Sequence, residues 1–197
     1  MQSGVPEAGL AEPIGVIVKG ITMNWNQFNE ENNFEEIIFK LTEKSIMLVQ
    51  ASSLPEKKFS AFAFNCSSFY GDISLSFGID PGYEDEEKQN RLYPPDWEYE
   101  VMGENVKEVG ALWEATYDPI QEKYQEITES SDGDALEAFG NGFLTSLRRV
   151  MVRLEKQGTL QKLSDQPVWT LVTEIDADTE EEEQLLEKER KTYQDKK

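Results

Sequence analysis

The side chains in this sequence that could do chemistry are mainly carboxylates, and two of them stand close together. Glu98 and Glu100 alternate with Trp97 and Tyr99, so on a strand both carboxylates would project from one face. Two carboxylates in an aromatic cleft are the arrangement that glycosidases use for acid–base chemistry. The same alternation places both rings on the opposite face, however. The pattern is therefore typical of an ordinary strand with a charged solvent side.

Other catalytic residue types are missing or isolated. The chain has no histidine, which removes the usual general base and the most common zinc ligand. Cys66 is the only cysteine, so it can form no intramolecular disulfide and has no histidine to activate it. Its phenylalanine-rich surroundings favour a buried, inert thiol. The sequence predicts no catalytic residue, no metal ligand and no cofactor.

Net charge is the most unusual property of the chain. Its 39 acidic residues exceed its 19 basic ones, giving a formal charge of −20. A field of that sign repels phosphate backbones and anionic lipid headgroups and speeds the approach of basic proteins. The charge predicts a basic protein partner, with no nucleic acid or membrane partner, although high solubility alone also explains it. The one dense basic group, Arg148, Arg149, Arg153 and Lys156, is predicted to pair with the protein's own carboxylates.

Acidic and aromatic residues in the central part of the chain are the predicted partner-binding surface. Their carboxylates would meet lysine and arginine side chains, and Tyr83, Tyr93 and Trp97 would act as aromatic anchors. The whole predicted set is Tyr83, Glu84, Asp85, Glu86, Glu87, Tyr93, Asp96, Trp97, Glu98 and Glu100.

Domain organisation follows from composition. Residues 23–178 are predicted to form a single domain, and residues 179–197 a charged C-terminal helix or tail. Residues 1–22 are predicted to be a flexible N-terminal extension, a stray strand at Val16–Val18, or a segment before a true start at Met23. No apolar run approaches the roughly 18 residues of a membrane span. With a lone cysteine, this predicts a cytoplasmic protein.

Hydrophobic periodicity predicts the elements that would position these residues. Apolar residues at three- and four-residue spacing predict helices over 32–51 and 135–157, the second ending before Gly158. A stripe over 109–127 predicts another helix, which Asp118-Pro119 either interrupts or begins. Alternating patterns predict strands over 59–65, 73–79, 97–101 and 168–175, the first two joined as an antiparallel hairpin with the first strand central.

These elements predict an α+β fold. We expect an antiparallel sheet of about four strands, with the amphipathic helices packed on one face. Because Gly140 and Gly142 weaken the long helix, we expect them to permit close packing on the sheet.

Several segments together resemble a known family. They are the stretches 59–77 (containing Phe-Ser-Ala-Phe-Ala-Phe and Tyr-Gly-Asp-Ile-Ser-Leu-Ser-Phe), 95–99 and 143–176. Over roughly residues 34–178 the chain resembles a bacterial domain-of-unknown-function family, number 4303. That family has no established activity, so no residue roles carry over. The resemblance implies a small cytoplasmic bacterial protein, similar in style to the acidic immunity proteins that accompany polymorphic toxins.

The sequence thus predicts a function in binding. We expect a non-enzymatic acidic protein, most concretely an immunity-type inhibitor of a basic toxin. Two alternatives remain open: a carboxylate-based, metal-assisted hydrolase, and a structural adaptor that docks through its C-terminal tail.

Overall fold

A computed structural model describes residues 16–18, 21–79, 94–174 and 177–194 of the chain. Seven helices and five strands lie in this described part, which makes the fold α+β as predicted. In chain order they are β1 (Val16–Val18), β2 (Ile21–Met23), α1 (Trp25–Asn32), α2 (Phe34–Ala51), β3 (Ala61–Ser67), β4 (Asp72–Gly78), α3 (Met102–Asn105), α4 (Lys107–Thr116), α5 (Asp118–Glu129), α6 (Gly133–Lys156), β5 (Trp169–Glu174) and α7 (Thr179–Gln194). None of the described helices has the length and hydrophobicity needed to cross a membrane.

The main sheet has three strands in the order β4-β3-β5. The β3–β4 hairpin is antiparallel and β3 is central, as predicted, with Phe62 opposite Phe77. Strand β5 pairs with β3 in parallel, with Phe62 opposite Thr170. The prediction of about four antiparallel strands is therefore wrong: the sheet is mixed. Parallel pairing needs a long connection, and here the chain passes through α4, α5 and α6 before it returns.

The prediction of a strand over 97–101 is also wrong. Pro94–Asp96 form a 3-10 turn, and only Tyr99 pairs with the sheet, in a single antiparallel bridge to Phe77. Helix α3 begins at Met102, so the chain leaves the sheet before a ladder can develop.

The helices follow the predicted periodicity with two additions. The stripe over 109–127 forms two helices, because Pro119 occupies the first turn of α5 and Tyr117 ends α4. Helix α1 was not predicted; Asn24 caps it with a reciprocal hydrogen-bond pair to Gln27. Asn33 adopts the left-handed conformation, at φ 49°, and separates helix α1 from helix α2.

The two faces of the sheet differ in what covers them. The face that carries Phe62, Phe64 and Phe77 packs against the helices in the larger apolar core. The opposite face carries Ala61, Ala63 and Leu171, over which Trp97 forms a smaller apolar cluster. The larger core lies on one face, which agrees in part with the predicted packing of the helices, but α7 also reaches Trp169 on the opposite face through Glu183.

Gly142 permits a close contact between α6 and α1, not with the sheet as predicted. A Cβ at position 142 would lie 2.2 Å from Cγ of Trp25. That indole packs edge-on against Phe34, Phe139 and Phe143 and donates its N–H to Ser146 Oγ at 2.9 Å. The glycine therefore makes room for the central ring of an aromatic cluster.

We expect the substitution Gly142→Ala to lower the free energy of unfolding by about 1–3 kcal/mol, because the indole must move out of its packed position. In an ordinary helix interior the same change is stabilising by about 1 kcal/mol. Urea unfolding of the variant measures the difference. A Trp25→Gly background removes both the ring and the Trp25 Cβ, which would lie 2.5 Å from the new Cβ, so there Gly142→Ala should become neutral or stabilising. Equal destabilisation in both backgrounds would contradict the proposed contact.

Candidate functional site

The structure separates the residues predicted to bind a partner. Tyr83, Glu84 to Glu87 and Tyr93 lie outside the described residues. Asp96 and Glu98 are exposed, and Glu100 is half-buried. Since these positions form turns instead of a strand, Glu98 and Glu100 are not presented as a pair on one strand face.

Trp97 is a core residue and not a surface anchor. Its side chain is only 8% exposed, and its ring lies 5.9 Å from that of Trp169 on the outer face of the sheet. Tyr99 lies in the other cluster, where its ring packs edge-on against Phe59 with 5.6 Å between centroids. A surface-anchor role for Trp97 does not fit this burial.

A groove runs along the outer edge of β4, and five acidic residues from separate parts of the chain contribute to its lining. It has a volume of about 510 Å³. The ends of β3 and β4, the segment that leads into α3, and helices α4 and α5 all contribute residues to its lining. This volume lies within the roughly 300–1,000 Å³ typical of ligand sites. The five acidic residues are Asp72, Glu100, Glu104, Glu114 and Asp118.

The lining of this acidic groove carries no opposing charge. None of the described residues that line it is lysine or arginine. Glu104, Glu114 and Asp118 are exposed, so their carboxylates are accessible from solvent. A concave surface lined by one sign of charge focuses the electric field and concentrates counter-ions. The acidic groove therefore favours a cationic ligand.

The carboxylates are spread along the acidic groove and do not converge on a point. Within the described ranges, no group of three or more histidine, cysteine, aspartate or glutamate side chains could hold a metal ion. Separated carboxylates suit a ligand with several positive groups better than they suit a single ion.

An exposed aromatic pair lies at one end of the acidic groove. Phe69 and Tyr70, in the turn between β3 and β4, are 54% and 56% exposed, and their rings pack edge-on at 4.8 Å. The Tyr70 carbonyl accepts hydrogen bonds from Gln121 Nε2 at 3.4 Å and Gln125 Nε2 at 3.1 Å, and Gln121 also lines the groove. Exposed aromatic residues beside a groove are common anchors in protein interfaces.

The turn that carries this pair is held by buried tyrosines. Tyr117 donates its hydroxyl to the Gly71 carbonyl at 2.6 Å, and Tyr124 donates to the Ser68 carbonyl. Gly71 adopts φ 70°, and a Cβ there would lie 2.6 Å from the Tyr124 ring. Burial raises the pKa of both tyrosines. The hydrogen bonds from these two tyrosines therefore fix the turn that carries Phe69 and Tyr70.

Sequence reasoning missed both Phe69 and Tyr70. The available signal was two adjacent large aromatic residues in a turn, immediately before Gly71, where no core packing requires them. Of the predicted partner-binding residues, the described lining of the acidic groove includes only Glu100.

Cys66 is buried, as the sequence predicted. Its thiol donates to the Thr173 carbonyl with 3.1 Å between Sγ and O. Burial raises the pKa of the thiol well above its ordinary value. The protonated form is therefore favoured, and this form is a poor nucleophile.

The three arginines of the predicted basic group pair with the protein's own carboxylates, as predicted, whereas Lys156 forms no ion pair among the described residues. Arg148 contacts Glu182 at 2.5 Å, and Arg153 contacts Glu36 at 2.5 Å while its guanidinium lies 3.7 Å from the Phe39 ring centroid. Arg149 lies between two glutamates, Glu35 at 3.5 Å and Glu189 at 3.6 Å. These three cations therefore act within the fold.

Helix α7 is part of this ion-pair network. Leu186 is fully buried in the larger core, and Arg190 contacts Glu155 of α6 at 2.7 Å. Trp169 of β5 donates its indole N–H to Glu183 at 2.7 Å. The C-terminal segment that the sequence left as a helix or a tail is a helix packed on α6 and β5 over the described residues.

Comparison with known proteins adds no relative. No family model, no curated protein and no solved structure matches the chain. The resemblance to family 4303 stays a prediction.

Proposed function

We propose that this protein is a non-enzymatic binding protein that holds a basic partner protein on its acidic groove. The observation that carries the proposal is the groove itself, whose described lining includes five acidic residues and no lysine or arginine. Such a surface attracts a basic protein over distance and selects against acidic ones. The exposed Phe69 and Tyr70 add the aromatic contact area that fixes an interface once the charges have met.

The distribution of the protein's own cations supports the same proposal. Arg148, Arg153 and Arg190 lie in ion pairs with glutamates of neighbouring helices. The remaining charge is strongly negative, at −20 for the whole chain. A basic partner would neutralise part of this charge and reduce the repulsion it causes.

The most concrete form of this function is inhibition of a basic toxin by an immunity-type protein in a bacterial cytoplasm. An inhibitor of this kind needs an acidic surface and no catalytic residues. The resemblance to family 4303 supports this form of the proposal, and the absence of histidine from the chain is in keeping with it. Solubilisation by charge alone would not require an aromatic pair beside a charged groove.

Charge reversal in the acidic groove tests the proposal. We expect the double substitution Glu104→Lys/Glu114→Lys to weaken binding to a basic partner by roughly 100-fold, since close charge pairs at interfaces contribute about 1.5 kcal/mol or more each. Both residues are exposed, so the fold should tolerate the change. The partner is obtained by capture on the tagged protein from lysate of its host at low salt, and its affinity is then measured with purified components.

A matched variant controls for net charge. Glu129 and Glu137 are exposed and lie outside the groove lining, so Glu129→Lys/Glu137→Lys changes the charge equally. This control should retain binding within about threefold, the effect of a rim charge. Equal losses in both variants, full retention by the groove variant, or an empty capture at low salt would each contradict the proposal. If the partner is toxic, co-expression of the wild type should restore growth and the groove variant should not.

A further inference from the structure

The outer edge of β4 has backbone groups that no described strand pairs. In an antiparallel pair, alternate residues direct their N–H and C=O groups to opposite sides. Phe77 directs its N–H outward, where it donates to the Tyr99 carbonyl at 2.9 Å. Leu75 and Ile73 have the same parity, so their backbone groups point outward as well. Across the described ranges, β4 pairs with β3 on one side. On its outer edge, within the same ranges, it forms only the single bridge between Phe77 and Tyr99.

Among the residues that the structure describes, the pairing of the chain with the outer edge of β4 is limited to the one bridge at Tyr99. After Tyr99, an antiparallel ladder would continue with Val101 opposite Leu75. Instead α3 begins at Met102, and Gly103 packs closely against Gly110 of α4. This leaves the edge at Ile73, which is half-buried, and at Leu75, which is 4% exposed, along the lining of the acidic groove.

We propose that the acidic groove binds an extended, lysine- or arginine-bearing segment of the partner as an added strand, paired with β4 at Ile73 and Leu75. This inference rests on the proposed function and names the structural form of its ligand. Backbone hydrogen bonds to the edge supply affinity, and the groove supplies selectivity for cationic side chains. The separated carboxylates of Asp72, Glu104 and Glu114 match a ligand whose charges are distributed along a chain.

An extended segment fits the acidic groove better than a second copy of this chain. Proteins usually cover, shorten or charge a free edge to prevent self-pairing. Here the edge lies among carboxylates, and a second copy would bring another −20 charge to them. A basic strand is attracted by the same field that repels the copy.

Amide hydrogen exchange of the full chain tests the inference. The probes are a short peptide of alternating lysine and valine, blocked at both ends, and spermine, a polyamine that has no peptide groups. Both can neutralise the carboxylates, but only the peptide can add a strand. We expect the peptide to slow exchange at Ile73 and Leu75 by about tenfold or more, and spermine to leave it unchanged. Ser74 and Ser76, whose parity directs their amides to β3, are internal references.

Each outcome separates strand addition from the proposed function. If the peptide binds and Glu104→Lys/Glu114→Lys weakens it, while exchange at Ile73 and Leu75 is unchanged, strand addition is wrong and the acidic binding groove stands. If the peptide fails to bind at low salt, strand addition is also wrong, and the capture experiment judges the proposed function separately. Protection that rises with protein concentration in the absence of peptide would identify a second copy as the occupant and overturn the inference.

Discussion

Replacing Glu182 with leucine is expected to lower the free energy of unfolding by about 3–5 kcal/mol. The reason is that Glu182 is the counter-ion of a buried cation. The Arg148 side chain is only 7% exposed and that of Glu182 only 10%, with 2.5 Å between Nη2 and Oε2. Arg148 Nε is buried and has no hydrogen-bond partner among the described residues, so the guanidinium is already incompletely satisfied. Removing the Glu182 carboxylate would leave the positive charge of Arg148 uncompensated in the core.

Two variants control this prediction. Glu187→Leu makes the same chemical change on the same helix, but its side chain is 49% exposed in its pairs with Arg190 and Lys191. It should change stability by less than about 1 kcal/mol, as exposed pairs usually do. The double substitution Arg148→Met/Glu182→Leu removes both charges and should restore most of the lost stability. Urea unfolding measures all three, and a double variant as unstable as Glu182→Leu would contradict this account.

The free energy of unfolding is also expected to fall as pH rises above about 9, the ordinary pKa of a cysteine thiol. Burial raises the pKa of Cys66, Tyr117 and Tyr124 in the folded protein. Above their ordinary pKa values the unfolded chain loses these protons while the folded protein keeps them. The unfolded state then binds fewer protons, so stability decreases with pH. The stabilising contribution is fully present below pH 9 and is lost on the alkaline side.

The expected loss is large because three groups act in the same direction. Each contributes about 1.4 kcal/mol per pH unit once the unfolded side chain ionises. By about pH 11 the combined loss should be on the order of 5 kcal/mol, a substantial part of the stability of a typical domain. Urea unfolding followed by tryptophan fluorescence from neutral to alkaline pH measures it. Removing the thiol with Cys66→Ala should delay the onset to about pH 10, the ordinary range of tyrosine. A flat profile to pH 11 would rule out the buried neutral groups as the cause.

Hydrophobic periodicity correctly predicted the helices and strands that bury one continuous apolar face. The long helices α2 and α6 and the hairpin of β3 and β4 were found within about two residues of their expected positions. Their apolar residues recur at helix or strand spacing because each element buries one continuous face. The direction of β5 has no such signal, since the same alternating residues suit a parallel or an antiparallel neighbour. Only the path through the intervening helices makes it parallel to β3.

The misassigned strand at 97–101 has a specific physical cause. Trp97 and Tyr99 are both buried, as alternate residues of a strand would be. In a strand they would share a face, whereas here they enter different apolar clusters on opposite faces of the sheet. A turn that buries Trp97 and Tyr99 in different clusters therefore gives the same alternation of apolar and polar residues as a strand.

By itself the sequence determined the sign of the charge, the α+β class and the lack of a histidine or disulfide, because these depend on composition and local period. It also predicted that the arginines of α6 serve the protein's own carboxylates. Only the tertiary structure decided where the uncompensated acids form a concave surface. Asp72, Glu104, Glu114 and Asp118 come from separate elements, and their proximity depends on how α3, α4 and α5 pack beside the edge of β4. Long-range packing of this kind leaves no periodic trace along the chain.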